Sequence, residues 1–434
     1  MWHAIYQIAL KLAEPLVRRR LRRRARHEPA YGERVEERFG SVPTDVPTGV
    51  VWFHTVSAGE TIAAAPLIAR LCHEFEDLPF LVTTMTPTGS QQVKQRLGEQ
   101  VFHSYAPYDF AHGVEAFLQR TQPRLLVLME TELWPNLIAA AHQRQIPILL
   151  VNARLSEKSA RGYARIGSLT RTMLSQLTAI ACQDDTHRQR FIELGAAAEK
   201  TQTLGNLKFD HELPADYAEH LGQLFQQLPV AGRWIWIAAS THPGEEEQVL
   251  AAHRALLEQQ PNALLILVPR HPVRASEVAL LVQNQGLTNV RLSKLPEADE
   301  LDPDALSVLI GDTMGQLGLL YGLAEVSFVG GSLVNHGGHN PIEPALCRCP
   351  ILMGPSRRNF VSVCEAFVQA NALGQVDDAA SLGSALVRFA KKPDEASALG
   401  AAAQSVVESQ RGAEARLLSL LRPQLREAQS AASA

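Results

Sequence analysis

Val329-Gly330-Gly331-Ser332, followed by Asn335-His336-Gly337-Gly338-His339-Asn340-Pro341-Ile342-Glu343-Pro344, sets an apolar run against a glycine-rich loop. The run from Ala324 to Val329 predicts a buried strand. Asn340, Pro341 and Glu343 then read as a helix start: Asn as N-cap, Pro at the first helical position, Glu in the first turn. A strand, a glycine-rich loop and a helix N-terminus can bind phosphate or sugar through backbone N–H groups. Glu343 has two readings, a capping box with Asn340 or a carboxylate accepting ribose hydroxyls. The open loop before it favours the second, because a cap alone does not need so many glycines.

Other segments place polar groups just past apolar runs. His54-Thr55-Val56-Ser57-Ala58-Gly59-Glu60 puts Glu60 in the first turn of a helix. There it either closes a capping box with Ser57 or takes a proton from a hydroxyl. Glu130, in Glu130-Thr131-Glu132-Leu133-Trp134-Pro135, is the first residue beyond a strand-like run, where a charge needs water or a partner. Lys208, in Leu204-Gly205-Asn206-Leu207-Lys208-Phe209-Asp210, is either a solvated lysine or a positive charge for a site. Ala239-Ser240-Thr241-His242-Pro243-Gly244-Glu245 is another strand-to-helix turn, whose hydroxyls and N–H groups suit a phosphate. Val268-Pro269-Arg270-His271-Pro272 sets an arginine, a natural phosphate fork, at a strand end. Gly311-Asp312-Thr313-Met314-Gly315 allows close backbone approach.

These positions need a scaffold that delivers strand ends to one side. Strand-like runs recur at Val50–His54, Phe80–Thr84, Leu125–Met129, Pro147–Val151 and Thr178–Cys182. They recur again at Trp234–Ala239, Ala263–Val268, Ser307–Gly311, Val326–Val329 and Pro350–Met353. Helical stretches such as Glu245–Gln259 and Glu365–Ala370 lie between them. The alternation predicts an α/β protein with two Rossmann-like domains, each a parallel sheet covered on both faces. A junction near Leu204–Leu213 predicts a central cleft. The expected boundaries are a basic, amphipathic segment at 1–30, a first domain at 31–205, a second at 206–425 and a flexible tail at 426–434.

The bulk properties narrow the class. The chain has 434 residues, 20% charged and 46% hydrophobic, as in an ordinary enzyme of two or three domains. A net charge of -4 argues against a general nucleic-acid binder. Five cysteines without pattern imply no disulfide framework and fit a reducing compartment. No metal site is expected: Cys347-x-Cys349 lacks a second pair, His336 and His339 lack a third ligand, and Asp302-Pro303-Asp304 reads as surface. Neither a G-x-x-x-x-G-K-[ST] loop nor a G-x-S-x-G elbow occurs. At the N-terminus Trp2, Ile5, Tyr6, Ala9, Leu12, Ala13 and Leu16 recur at helical spacing, and seven arginines follow between Arg18 and Arg26. Lys11 and Glu14 break the apolar run, which is short and polar for a spanning helix, so the N-terminus is expected to hold the protein on the membrane either peripherally or as an anchor. An amphipathic helix with an arginine block suits an anionic membrane surface; the other reading is a helix packed on its own domain.

Taken in order, HTVSAGE, ETELWPN, LGNLKFD, PRHP, GDTMG and GGHNPIEP resemble the 3-deoxy-D-manno-octulosonic acid (Kdo) transferases of Gram-negative bacteria, from about Tyr31 to about residue 375. The resemblance implies a glycosyltransferase-B architecture and inverting, metal-independent transfer of Kdo from CMP-Kdo to a lipid A precursor, lipid IVA. The work is placed at the cytoplasmic face of the inner membrane, with CMP-Kdo, lipid IVA and anionic lipids as partners, no nucleic acid, and no cofactor beyond the donor substrate. By motif, Glu60 resembles the catalytic base, and Glu130 and Lys208 the transition-state stabilisers. Pro269, Arg270, Thr313, Met314, Gly315, Asn340, Pro341, Ile342 and Glu343 resemble the CMP-Kdo contacts. Two other classes share some of these features: a non-hydrolysing nucleotide-sugar epimerase, which would not need the basic N-terminus, and a non-catalytic lipid-binding protein, which leaves the glycine-rich loops unexplained.

Overall fold

The computed structural model describes residues 2–297, 302 and 305–433. Pro303 and Asp304 of the Asp302-Pro303-Asp304 stretch lie outside them, as does the side chain of Trp2. The chain forms two compact units: residues 1–210 together with 411–434, and residues 211–410.

Among the described residues each unit carries a seven-stranded parallel sheet. The first contains β1 (Val51–His54), β2 (Phe80–Thr84), β3 (Phe102–Tyr105), β4 (Leu125–Met129), β5 (Ile148–Ala153), β6 (Ala179–Cys182) and β7 (Thr201–Thr203), ordered β3-β2-β1-β4-β5-β6-β7. The second contains β8 (Trp234–Thr241), β9 (Ala263–Pro269), β10 (Asn289–Arg291), β11 (Val308–Ile310), β12 (Val326–Val329), β13 (Ile351–Met353) and β14 (Gly374–Gln375), ordered β10-β11-β9-β8-β12-β13-β14. Ligands in such open sheets bind where the strand order reverses, beyond the carboxyl ends. That point lies between β1 and β4 in one unit and between β8 and β12 in the other.

Alternation along each central strand builds the core on both faces. Val51 and Phe53 of β1 join Leu125, Val127 and Met129 of β4 in one apolar cluster. Trp52, with Leu126 and Leu128, faces the opposite cluster. In the second unit Trp236 and Ala238 face one way, and Ile235, Ile237 and Ala239 the other.

The junction falls at Asp210, a few residues past the expected 205, and the C-terminal boundaries differ more. Residues 411–434, read as the end of the second domain and a flexible tail, belong to the first unit. They form the helix Ala413–Ser433, whose Leu417, Leu421 and Leu425 are fully buried against the face holding Val127 and Leu207. That face would otherwise be open to water, and covering it explains the return of the chain.

The N-terminal helix runs from Trp2 to Ala25. Leu10, Val17 and Leu21 pack with Tyr31, Phe39 and Phe110, and Tyr6 donates a hydrogen bond to Asp109 at 2.8 Å. Ile5, Ile8, Leu12 and Leu16 face outward, Leu12 with 72% of its surface exposed. The apolar residues expected to share one face are therefore split: Tyr6 turns to the domain, while Ile5, Leu12 and Leu16 turn away from it. Among the described residues no helix is long and apolar enough to cross a membrane.

Candidate active site

In the first unit the carboxyl ends of β1 and β4 gather three carboxylates. Ser57 caps the helix Ala58–Glu74, its Oγ accepting from the Glu60 backbone N–H at 3.4 Å. Glu60 reaches back, accepting from the Val56 N–H at 2.9 Å and the Ser57 hydroxyl at 2.8 Å. The cap at Ser57 is thus real, though Glu60 takes the N–H of Val56 and not that of Ser57, as a capping box would. It also holds a carboxyl that is only 8% exposed. Burial, then the nearby charges of Glu130 and Glu132, push that carboxyl up to about 8. A cap on the surface would feel neither influence.

Glu130 sits just past β4 with a left-handed backbone, φ 55°. Its carboxylate accepts from Lys208 Nζ at 3.2 Å, and Arg154 lies 3.8 Å from its other oxygen. Glu132, two residues on, accepts from the Trp134 indole at 2.5 Å. Burial pushes its carboxyl up to about 7. Lys208 is aimed by a buried amide network. Asn152 accepts from the Leu207 N–H at 3.1 Å and Asn206 from the Lys208 N–H at 3.1 Å, while Asn206 donates to Gln183 at 3.2 Å. The structure therefore brings Glu60, Glu130 and Lys208 together, and adds Glu132, Arg154 and Asn152, which motif spacing did not single out. Glu132 was legible as a second carboxylate in one tetrapeptide; Asn152 was hidden within an apolar strand.

In the second unit β8 and β12 end side by side. Gly330 is pressed so close to Ser240 that a Cβ there would stand 2.6 Å from the Ser240 carbonyl oxygen. Under the loop lies Glu245, fully buried, accepting from the N–H groups of Gly331 at 2.7 Å, Ser332 at 3.0 Å, Leu333 at 2.9 Å and His242 at 3.2 Å. One carboxylate thus folds the glycine-rich loop onto the strand-to-helix turn. In the sequence Glu245 shows only as a carboxylate at the start of a helical stretch, just before the helix Glu246–Leu257. The Thr241 hydroxyl, read as a phosphate ligand, instead donates to Glu246 at 3.0 Å. Glu246 also pairs with Arg274 at 2.6 Å.

Four histidines converge above that turn. His242 and His339 meet Nε2 to Nε2 at 2.9 Å, His336 stacks on His242 with centroids 3.9 Å apart, and His271 meets His242 edge-on at 6.3 Å. Through them the ends of β8, β9 and β12 form one locus, with Arg270 on its rim. Arg270 is exposed; its backbone N–H donates to the Thr241 carbonyl at 3.0 Å, and its guanidinium has no hydrogen-bond or ion-pair partner among the described residues. Pro269 is buried at the end of β9.

The helix expected at Asn340 begins later, at Ile342, and runs only to Leu346. Asn340 accepts from the Ile342 N–H at 3.1 Å and donates to Glu343 at 3.2 Å, so the two polar residues fix one another. Pro341 and Ile342 have buried side chains and can offer a ligand only backbone. In the turn after β11, Asp312 is tied to Ser293 at 2.9 and 2.6 Å, and Thr313 donates to Gln316 at 2.5 Å. Thr313 lines a cavity of about 430 Å3 with Leu228, Leu292, Ser293 and Gln316. Met314 is 77% exposed and Gly315 lies beside it in the open. Among the described residues no hydrogen bond links this turn to the histidines, and no group of three or more His, Cys, Asp or Glu is arranged to hold a metal ion.

The order of the strands and the loops they carry agrees with the kinship of the chain. Over 88% of its length it superposes on 97% of a putative UDP-N-acetylglucosamine 2-epimerase from Listeria monocytogenes, with a TM-score of 0.54 and 12% identity, a likeness of fold alone. The family model described as 3-Deoxy-D-manno-octulosonic-acid transferase (kdotransferase) matches residues 33–211, the part holding Glu60, Glu130 and Lys208. A 3-deoxy-D-manno-octulosonic acid transferase of Bordetella pertussis is 34% identical, covering 97% of this chain and 99% of its own. Another, from Haemophilus influenzae, is 39% identical over 429 residues, 98% of this chain and 99% of its own. With both carboxylate and glycine-rich loops inside an alignment of that extent, the chain belongs to the 3-deoxy-D-manno-octulosonic acid transferases.

Proposed function

We propose that this glycosyltransferase moves Kdo from CMP-Kdo to a lipid A precursor, lipid IVA, in lipopolysaccharide synthesis, by an inverting displacement without a metal ion. The observation that carries the reading is Glu60: a buried carboxyl, raised by its surroundings, at the strand end where the sheet order reverses. A base of that kind is matched to a sugar hydroxyl near neutral pH. Glu60 takes the acceptor proton as the hydroxyl oxygen bonds to the anomeric carbon, and the bond from that carbon to the phosphate oxygen breaks. The electron pair leaves with CMP. Glu130 and Lys208, 3.2 Å apart, provide fixed charges beside this base. On the donor side, Arg270 and the N–H groups of the glycine-rich loop suit the leaving phosphate, and Asn340 and Glu343 suit the ribose. A single phosphate departs, so a cation bridging two phosphates is not required.

The acceptor is a lipid, and the N-terminal helix fits that role. Arg19 and Arg23 continue the exposed line of Ile5, Ile8, Leu12 and Leu16, giving one helix face that is apolar and then basic. Such a face suits residence on the anionic cytoplasmic surface of the inner membrane. The test is incubation of the pure protein with CMP-Kdo and tetraacyl lipid A precursor in EDTA, read by product mass and by the anomeric configuration. Product carrying Kdo with inverted configuration is expected. Free Kdo or an isomerised donor would remove the reading, and activity restored only by a divalent ion would remove its metal-free part.

A further inference from the structure

The histidine cluster is more elaborate than a phosphate cradle needs, and its geometry restricts its proton content. Two Nε2 atoms 2.9 Å apart cannot both carry a proton, nor both be bare, without repulsion. One of His242 and His339 therefore donates and the other accepts, which fixes opposite tautomers. His336 lies flat on His242 at 7° and His271 meets its edge. The charged groups facing the pair are few. Arg274 is neutralised by Glu246 and Glu277 at 2.6 and 2.9 Å. Glu245 spends its oxygens on backbone N–H groups. Among the described residues Arg270 is the cation acting on both rings without a carboxylate partner.

We propose that the His242–His339 pair is neutral in the empty site and takes up one proton when a phosphate monoester binds beside Arg270, so that the phosphate meets two cations. This rests on the donor-site reading above. Burial, with the charge of Arg270 and the neighbouring histidines, holds His242 down at about 4 and His339 at about 3. An arriving phosphate cancels the influence of Arg270 and adds its own negative charge. An opposite charge within about 4–6 Å favours the imidazolium, and with the influence of Arg270 cancelled as well the pair, His242 foremost, is lifted toward neutral pH. The proton comes from solvent through the exposed rings of His336 and His271, and it is available to the phosphate dianion that the transfer leaves behind. The pair positions and charges the phosphate; it makes no bond to carbon.

Calorimetry of CMP binding to the full chain, from pH 6 to pH 8 and in two buffers of contrasting ionisation enthalpy, tests the proposal. Wild-type affinity should fall by about two- to fivefold as pH rises through this range, with net proton uptake. CMP itself drives the opposite trend, since its dianion is favoured at high pH. His242→Gln and His339→Gln should each lose the fall and the uptake, whereas His220→Gln, on an exposed helix, should keep both. Cytidine, without phosphate, should bind without uptake. Because the variants risk disturbing the loop, nitrogen-15 spectra of the wild-type histidines provide a second measurement. One ring of the pair should move toward the imidazolium position on adding CMP. CMP binding with neither pH slope nor ring shift would overturn the proposal and leave the donor site standing. No CMP binding to the wild type would overturn both.

Discussion

At the residue scale the protein turns on a few side chains whose surroundings set their charge. Glu60 keeps its proton in the folded chain up to about 8, whereas an exposed glutamate loses it near its ordinary value of 4.5. Two measurements follow. If Glu60 is the base, kcat/KM should rise about tenfold per pH unit below 8 and level off above it, and Glu60→Gln should lower kcat by roughly 10²–10⁴-fold without unfolding the protein. Stability moves the other way. Between 4.5 and 8 the folded state holds a proton that the unfolded state has released, so ionisable Glu60 makes the fold progressively less stable as pH rises through that window. The melting temperature of Glu60→Gln relative to wild type should therefore climb from pH 5 to pH 8 and then stay level. A difference independent of pH, with near-normal turnover, would leave Glu60 only its cap. On the donor side, Arg270→Ala should weaken CMP binding by about 1.5–3 kcal/mol, the range for a hydrogen bond to a charged group, and titration calorimetry reads it directly. Unchanged affinity would take Arg270 out of the donor site.

At the element scale both sites are built by strands that end in strained or crowded turns. Glu130, Asn152 and Ser240 all hold left-handed backbones, φ 55°, 50° and 58°, beside the carboxyl ends of β4, β5 and β8. Each costs about 1–3 kcal/mol for a residue with a side chain, offset by the hydrogen bonds it makes possible. Glu245 does the same for the glycine-rich loop by accepting four backbone N–H groups. Removing it would leave those donors buried and unpaired at about 1–3 kcal/mol each. Glu245→Ala should therefore lower the melting temperature steeply and abolish CMP binding, although the side chain need never touch CMP. Near-wild-type melting and binding would show that the loop holds its shape without that carboxylate.

At the scale of the molecule the chain's two ends serve the first unit. Leu421 is fully buried against the sheet, and Leu421→Ala should cost about 2–5 kcal/mol. Removing residues 411–434 should unfold the first unit while the second still melts as its own transition, which calorimetric scanning separates. The N-terminal helix has two duties. Deleting residues 1–26 would uncover Tyr31, Phe39 and Phe110 and so confuse membrane binding with folding. Changing the outward residues Ile5, Ile8, Leu12 and Leu16 to Ser leaves the packed face intact. That variant should sediment poorly with anionic vesicles and should lose transfer to vesicle-embedded acceptor while keeping CMP affinity. High salt should weaken the wild type only in part, since the arginines are screened and the apolar residues are not. Equal sedimentation of both proteins would exclude this face as the anchor.

The central strands of both sheets were legible because strands buried on both faces must be continuously apolar, as in Leu125–Met129 and Val326–Val329. The missed strands β3, β7, β10 and β14 are the four sheet edges. Phe-His-Ser-Tyr, Thr-Gln-Thr, Asn-Val-Arg and Gly-Gln face water on one side and carry no apolar run. The motif positions Glu60, Glu130, Lys208 and Arg270 could likewise be named from their places after strands. Which of them meet could not, since Glu130 and Lys208 are 78 residues apart in sequence and 3.2 Å apart in space. The same holds for His242 against His339, and for Glu245 beneath Gly331. Local pattern records what one segment must bury, and so it determined the fold class and the strand ends. Only tertiary structure decides which strand ends become neighbours, and with them which carboxyl is raised, which cation stands unbalanced and which histidines share a proton.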